Sequence, residues 1–227
     1  MKLLLYSGFS EQNSLDDELK TALNAFQHKS LTIFLSNSDD FKSKYVYPIT
    51  DYYKRCGFND VSVCLYSQTN ENTNKISAEY PDIKFIGLDS AFESDAIFLS
   101  GGSNYYFLNS LRKNNLIGKL QEYARSNHLL IGMSAGSMLM QKDIKNSEIP
   151  SYDPEPNPVG DISLESLNLI PFYFFPHYDG DTRFLSEVKE FSNKTKDRCY
   201  ICTDNDGLYI EGNNVVLKGN TIEINPQ

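Results

Sequence analysis

The stretch Leu129-Leu130-Ile131-Gly132-Met133-Ser134-Ala135-Gly136-Ser137-Met138 decides how this chain is read. Its first residues are apolar without alternation, as a strand covered on both faces requires. They run into two glycines that bracket a serine. Gly132-x-Ser134-x-Gly136, set between an apolar strand and a helix-compatible segment, has the context of a nucleophile elbow. The logic is steric. A sharp strand-to-helix turn holds the serine in strained backbone geometry, so its neighbours must be small. The hydroxyl then projects above the sheet near a helix N-terminus, where the amide of Ala135 points at a developing oxyanion. The competing reading is a glycine-rich turn with a structural role alone.

Working outward, non-alternating apolar runs recur at Lys2–Tyr6, Leu31–Ser36, Val61–Tyr66 and Ala96–Leu99. Amphipathic segments separate them. One spans about Asp40 to Arg55 and closes at Gly57, a helix C′ glycine. Another starts at Asn104, pauses at Asn114-Asn115 and resumes with Leu116, Ile117, Leu120 and Tyr123 on one face. Phe184, Leu185, Val188 and Phe191 mark a helix opening near Asp181-Thr182. This alternation predicts an α/β fold with a mostly parallel sheet, in one hydrolytic domain over 1–227. From Tyr200 onward the chain reads as short antiparallel strands with turns at Glu211-Gly-Asn and Lys218-Gly-Asn. Four of the nine prolines fall between Pro150 and Pro158. That density excludes helix and central strand, so 141–170 is expected to be a proline-rich loop and a lid candidate.

Bulk properties narrow the function. A chain of 227 residues with 40% hydrophobic and 22% charged positions can bury a full core. No segment reaches the roughly 18 apolar residues that span a bilayer. The apolar run in MKLLLYSGF is too short for a signal core, so a cytoplasmic location is expected. Net charge is −9 with Lys and Arg scattered, which argues against nucleic-acid and membrane partners. An anionic ligand would need a local positive group. Cys199 and Cys202 form a C-x-x-C, but in a β-like run with no histidine nearby, so core packing outweighs metal or redox chemistry. Nothing calls for a metal or cofactor. The expected partner is a small substrate, bound by a monomer or small homo-oligomer.

A second glycine turn, Ser100-Gly101-Gly102-Ser103, follows the strand Ala96–Leu99 and opens the helix at Asn104. Both glycine turns lie at C-terminal strand ends, where α/β sheets place their sites, so Gly102 is a candidate second oxyanion donor. A nucleophilic serine needs a base. His28 and His128 read as surface residues at helix ends. His177 instead ends the apolar run Phe172–Pro176 at a strand edge and is the histidine placed to serve Ser134. For the carboxylate that orients the imidazole, Glu148, Asp204 and Asp206 remain open. Arg183 falls in the first turn of a helix, where the backbone dipole disfavours a cation unless an anion sits beside it. Asp179, Asp181 or a substrate carboxylate would satisfy it.

Taken in order, Ser100-Gly-Gly-Ser-Asn104, Gly132-Met-Ser-Ala-Gly-Ser137 and Pro176-His-Tyr178, with Thr182-Arg183 beyond, resemble the peptidase E family of serine peptidases. That family is also called aspartyl dipeptidase and is related to cyanophycinase. The resemblance spans roughly Met1 to Gly212. It implies a three-layer α/β sandwich similar to class I glutamine amidotransferases, and hydrolysis of short peptides, chiefly dipeptides with N-terminal aspartate, through an acyl-enzyme. It also implies that Ser134 is the nucleophile, His177 the base, Gly102 and Ala135 the oxyanion donors, and Arg183 the receiver of the aspartate side chain. Glu148 lies near the loop position where aspartyl dipeptidases carry an aspartate, and Asp204 where cyanophycinase-like relatives carry a glutamate. Another hydrolase specificity on the same fold, or a non-catalytic binding protein, are the alternatives.

Overall fold

The computed structural model describes residues 1–8, 13–36, 38, 41–151, 157–160 and 162–227. In chain order the elements are β1 Lys2–Tyr6, α1 Asp16–Leu23, β2 Ser30–Phe34, α2 Ser43–Cys56, β3 Asp60–Cys64, α3 Asn70–Glu79, β4 Lys84–Phe85, α4 Leu88–Ala91, β5 Ala96–Leu99, α5 Asn104–Lys113, α6 Leu116–Arg125, β6 Leu129–Met133 and α7 Ala135–Met138. A single 3-10 turn, Lys145–Glu148, precedes β7 Tyr173–Phe175. The chain ends with α8 Thr182–Thr195, β8 Cys199–Ile201, β9 Gly207–Glu211, β10 Asn214–Lys218 and β11 Ile222–Ile224.

Eight strands form one sheet in the order β10-β9-β1-β6-β5-β2-β3-β4. The six from β1 to β4 are mutually parallel, and the β9–β10 hairpin adds antiparallel to β1. The strands alternate between two apolar layers rather than between core and water. Leu3 and Leu5 pack with α5 and α6, while Leu4 and Tyr6 pack with α1 and α2. Ile97 and Leu99 against Ala96 and Phe98 repeat this split on β5. Both faces are therefore covered, which is why the strand sequences are apolar throughout. Helices on two sides of a mostly parallel sheet make the expected three-layer α/β sandwich.

Helix ends follow their local chemistry. Gly57 closes α2 at φ 111°, a left-handed C′ residue that glycine adopts without cost. Asp181 caps α8 by accepting from the Arg183 amide at 2.8 Å. The predicted start of α2 at Asp40 lies outside the described residues, and the helix itself begins at Ser43.

Two expectations need correction. Cys199–Ile201 is not purely antiparallel: β8 pairs parallel with β7 and antiparallel with β11, in a separate three-stranded sheet. The intervening α8 makes β7-α8-β8 a crossover unit, and a crossover delivers parallel neighbours. The proline-rich region is also less open than its composition suggests. Gln141, Ile144, Asn146, Ser147 and Leu167 are buried, and Asp143 bridges Glu165. Of the lid candidate, 152–156 and 161 lie outside the described residues. Among the described residues no helix is long and apolar enough to cross a membrane.

Candidate active site

Ser134 sits between β6 and α7 with φ 51° and ψ −113°, a conformation non-glycine residues rarely hold. Three bonds pin the bend. The Ser134 amide donates to Tyr6 O at 2.9 Å, Ser137 Oγ donates to the same carbonyl at 2.9 Å, and the Gly136 amide donates to Ser100 O at 3.1 Å. The flanking glycines are required by close approach. A Cβ on Gly136 would lie 2.1 Å from Leu99 O, and one on Gly132 would lie 2.6 Å from the Gly136 backbone. The steric argument drawn from the sequence is realised in these distances.

His177 follows β7 and also holds a left-handed backbone, at φ 63°. Its Nε2 is 2.7 Å from Ser134 Oγ, and its Nδ1 is 2.5 Å from Asp204 Oδ1. With Nδ1–H donating to Asp204, Nε2 is free to accept the Ser134 proton. Ser134, His177 and Asp204 are thus brought together from β6, β7 and β8. Glu148 is not part of this chain of bonds: it lies exposed in the 3-10 turn and makes no contact with His177. Asp206 is buried and accepts from the Thr203 amide and hydroxyl at 3.2 and 2.6 Å.

Gly102 lines the cavities at Ser134, and Ala135 follows that serine at the start of α7. Gly102 has φ 132°, and a Cβ there would meet Ser36 Oγ at 2.2 Å. Ser36 Oγ donates to Gly101 O at 2.6 Å and so fixes that turn. Among the described residues no backbone acceptor is recorded for the Gly102 and Ala135 amides.

Arg183 takes the local partner. Its Nη2 is 3.6 Å from Asp181 Oδ2, the side chain is 72% exposed, and it lines neither cavity at Ser134. His28 is exposed, and His128 is partly exposed with its ring stacked on Tyr123 at 4.4 Å. Cys199 and Cys202 are fully buried, in keeping with core packing. No group of His, Cys, Asp or Glu among the described residues is arranged to hold a metal ion.

Sequence reasoning missed Ser7 and Gly8. Ser7 Oγ accepts from the His177 amide at 2.8 Å and donates to Cys202 O at 3.1 Å. The Gly8 amide donates to Asp204 O at 3.1 Å, and a Cβ on Gly8 would lie 2.7 Å from Asp204 Oδ1. A Ser-Gly pair at the C-terminal end of the first parallel strand was the available signal.

Residues 4–218 match Peptidase family S51. An uncharacterized peptidase of Listeria monocytogenes, Lmo0363, is 26% identical over 132 residues, 56% of this chain and 61% of that protein. Peptidase E of Streptomyces coelicolor is 27% identical over 137 residues, 56% of this chain and 53% of the relative. The matched part thus spans little more than half the length of these curated relatives. A crystal structure assigned as a Peptidase E protein of Listeria monocytogenes EGD-e superposes with a TM-score of 0.69 at 21% identity, covering 96% of this chain and 97% of the other. A peptidase from an acI-B1 Actinobacterium gives 0.62 at 15% identity, over 99% and 94%. These two share the fold. With the match to the family running through both glycine turns and His177, the chain belongs to peptidase family S51.

Proposed function

We propose that the protein is a serine peptidase that hydrolyses short peptides through an acyl-enzyme on Ser134. The observation that carries this reading is the unbroken chain Ser134 Oγ–His177 Nε2 at 2.7 Å and His177 Nδ1–Asp204 at 2.5 Å, built on a strained turn. In the first half-reaction His177 takes the Ser134 proton as Oγ attacks the scissile carbonyl. The Gly102 and Ala135 amides hold the oxyanion, and His177 returns the proton to the leaving amine. Water then attacks the acyl carbon while giving a proton to His177, which passes it to Ser134 Oγ as the acyl–oxygen bond breaks and the acid product leaves. Asp204 keeps the imidazole in the tautomer that both steps need.

For the acyl side, peptides with N-terminal aspartate are the substrates this reading favours, dipeptides among them. Asp179 and Asp181 line a cavity of about 440 Å³ beside Ser134 and match the substrate ammonium group. Arg183 would exchange Asp181 for the substrate β-carboxylate. A second specificity has its own support. The same two carboxylates line the cavity while Arg183 does not, which favours a cationic side chain on the acyl residue. Hydrolysis of Asp-Leu, Lys-Leu and Ala-Leu separates the two, and Arg183→Ala should slow only Asp-Leu if aspartate is the true substrate. The nucleophile is tested by labelling with a serine-directed phosphonate and mapping the adduct. Labelling at Ser134 that vanishes in Ser134→Ala supports the reading, and an unreacted Ser134 with full peptidase activity would sink it.

A further inference from the structure

Ser134 stands between two cavities of opposite sign. The smaller, about 440 Å³, has Asp179 and Asp181 as its only Asp, Glu, Lys or Arg among the described residues. The larger, about 1280 Å³, also borders the same serine and carries Lys44 from α2 and Lys113 from the end of α5, with no carboxylate among the described residues that line it. Neither lysine forms an ion pair with any described residue, and the Lys44 ammonium lies over the Tyr45 ring at 4.9 Å. Two cations with no ion-pair partner among the described residues, beside the nucleophile in a chain of net charge −9, give this groove a local positive character.

Tyr45 and Tyr106 line the same groove and remain 53% and 54% exposed, among the few large apolar side chains that water reaches. Aromatic rings at a cavity mouth offer apolar faces to a ligand at low entropic cost. The volume matters as well. Ligand pockets typically measure about 300–1,000 Å³, so a groove above that range holds more than one amino-acid residue.

We infer that the large groove receives the leaving-group side of tri- and tetrapeptides, with Lys44 and Lys113 capturing the free C-terminal carboxylate and Tyr45 and Tyr106 covering apolar side chains. This rests on the peptidase reading above and extends it: the acidic cavity takes the amino end, the basic groove takes the carboxyl end, and the serine lies between.

The test has two arms. Calorimetric titration of the Ser134→Ala chain with Leu-Phe and with its C-terminal amide reads the groove without turnover. The acid is expected to bind roughly tenfold more tightly, since each exposed lysine pair contributes up to about fivefold. The preference should vanish in Ser134→Ala carrying Lys44→Gln and Lys113→Gln, and persist when Lys75→Gln and Lys84→Gln remove equal charge elsewhere. Equal binding of acid and amide, or a preference that survives Lys44→Gln/Lys113→Gln, overturns the inference. In the second arm the unsubstituted protein is given Asp-Leu-Phe and its amide, with the same ratio expected in kcat/KM. Groove selectivity without any hydrolysis would overturn the peptidase reading and leave the groove assignment standing.

Discussion

The His177 amide donates to Ser7 Oγ at 2.8 Å, across 170 positions of sequence, and Ser7 in turn donates to the carbonyl of Cys202. One fully buried hydroxyl therefore sets where the imidazole sits relative to both the elbow and the strand that leads to Asp204. Ser7→Ala leaves the His177 amide without its acceptor, a loss of about 1–3 kcal/mol if no water replaces it. The expected result is a kcat lowered tenfold or more with KM nearly unchanged, and a Tm lowered by a few degrees. A parallel rise in KM with unaltered kcat would show that Ser7 does not position the base.

The two loop carboxylates separate cleanly by substitution. Asp204→Asn keeps the shape but favours the wrong imidazole tautomer, so kcat should fall on the order of 10³–10⁴-fold. Glu148→Gln should leave kcat within about twofold, because Glu148 makes no contact with His177. Steady-state kinetics on one dipeptide decides it, and the reverse pattern would hand the role to Glu148.

Gly102 is constrained twice, by its φ of 132° and by Ser36 Oγ at 2.2 Å from any added Cβ. Gly102→Ala should misdirect the amide and cost about 10²–10³ in kcat, the usual effect of losing one oxyanion donor. Adding Ser36→Gly removes the clash but not the backbone strain, so only part of the rate should return. Full recovery would assign the whole defect to crowding.

Burial pushes the thiols of Cys64, Cys199 and Cys202 up to about 12, and raises that of half-buried Cys56. A raised thiol pKa means less thiolate at pH 8, and thiolate is the reactive form. The folded protein should therefore consume at most one equivalent of Ellman's reagent quickly, at Cys56, and four after denaturation. Rapid reaction of Cys199 and Cys202 in the folded state would reopen a redox reading of that pair.

How much of this was legible in the sequence depended on whether the signal was local. The elbow was, because Gly132 and Gly136 answer to steric contacts within one turn and with the adjacent strand. The helix on Leu116, Leu120 and Tyr123 was also legible, since its buried face repeats every turn. Helix α3 was not: none of its residues is buried, so it has no apolar stripe to read. The direction of β8 was hidden because strand composition does not encode the orientation of a partner. Choosing Asp204 over Glu148 required knowing which loop end the second sheet delivers to His177, a tertiary fact. The dipole argument singled out Arg183 and named Asp181 as one local partner, and the ion pair at 3.6 Å is that partner.

Ser134 follows a strand of the eight-stranded sheet, whereas His177 and Asp204 follow strands of the three-stranded one. The Ser134–His177–Asp204 geometry thus depends on the docking of two separately hydrogen-bonded sheets, stitched by Ser7–Cys202, Ser7–Asp206 and Gly8–Asp204 bonds. A hydrogen bond tolerates only a few tenths of an ångström of stretch before it weakens. On the proposed peptidase reading, loosening of that seam by heat or mild denaturant should abolish hydrolysis while nearly all helices and strands persist. Turnover is then the most sensitive gauge of how firmly the smaller sheet is seated.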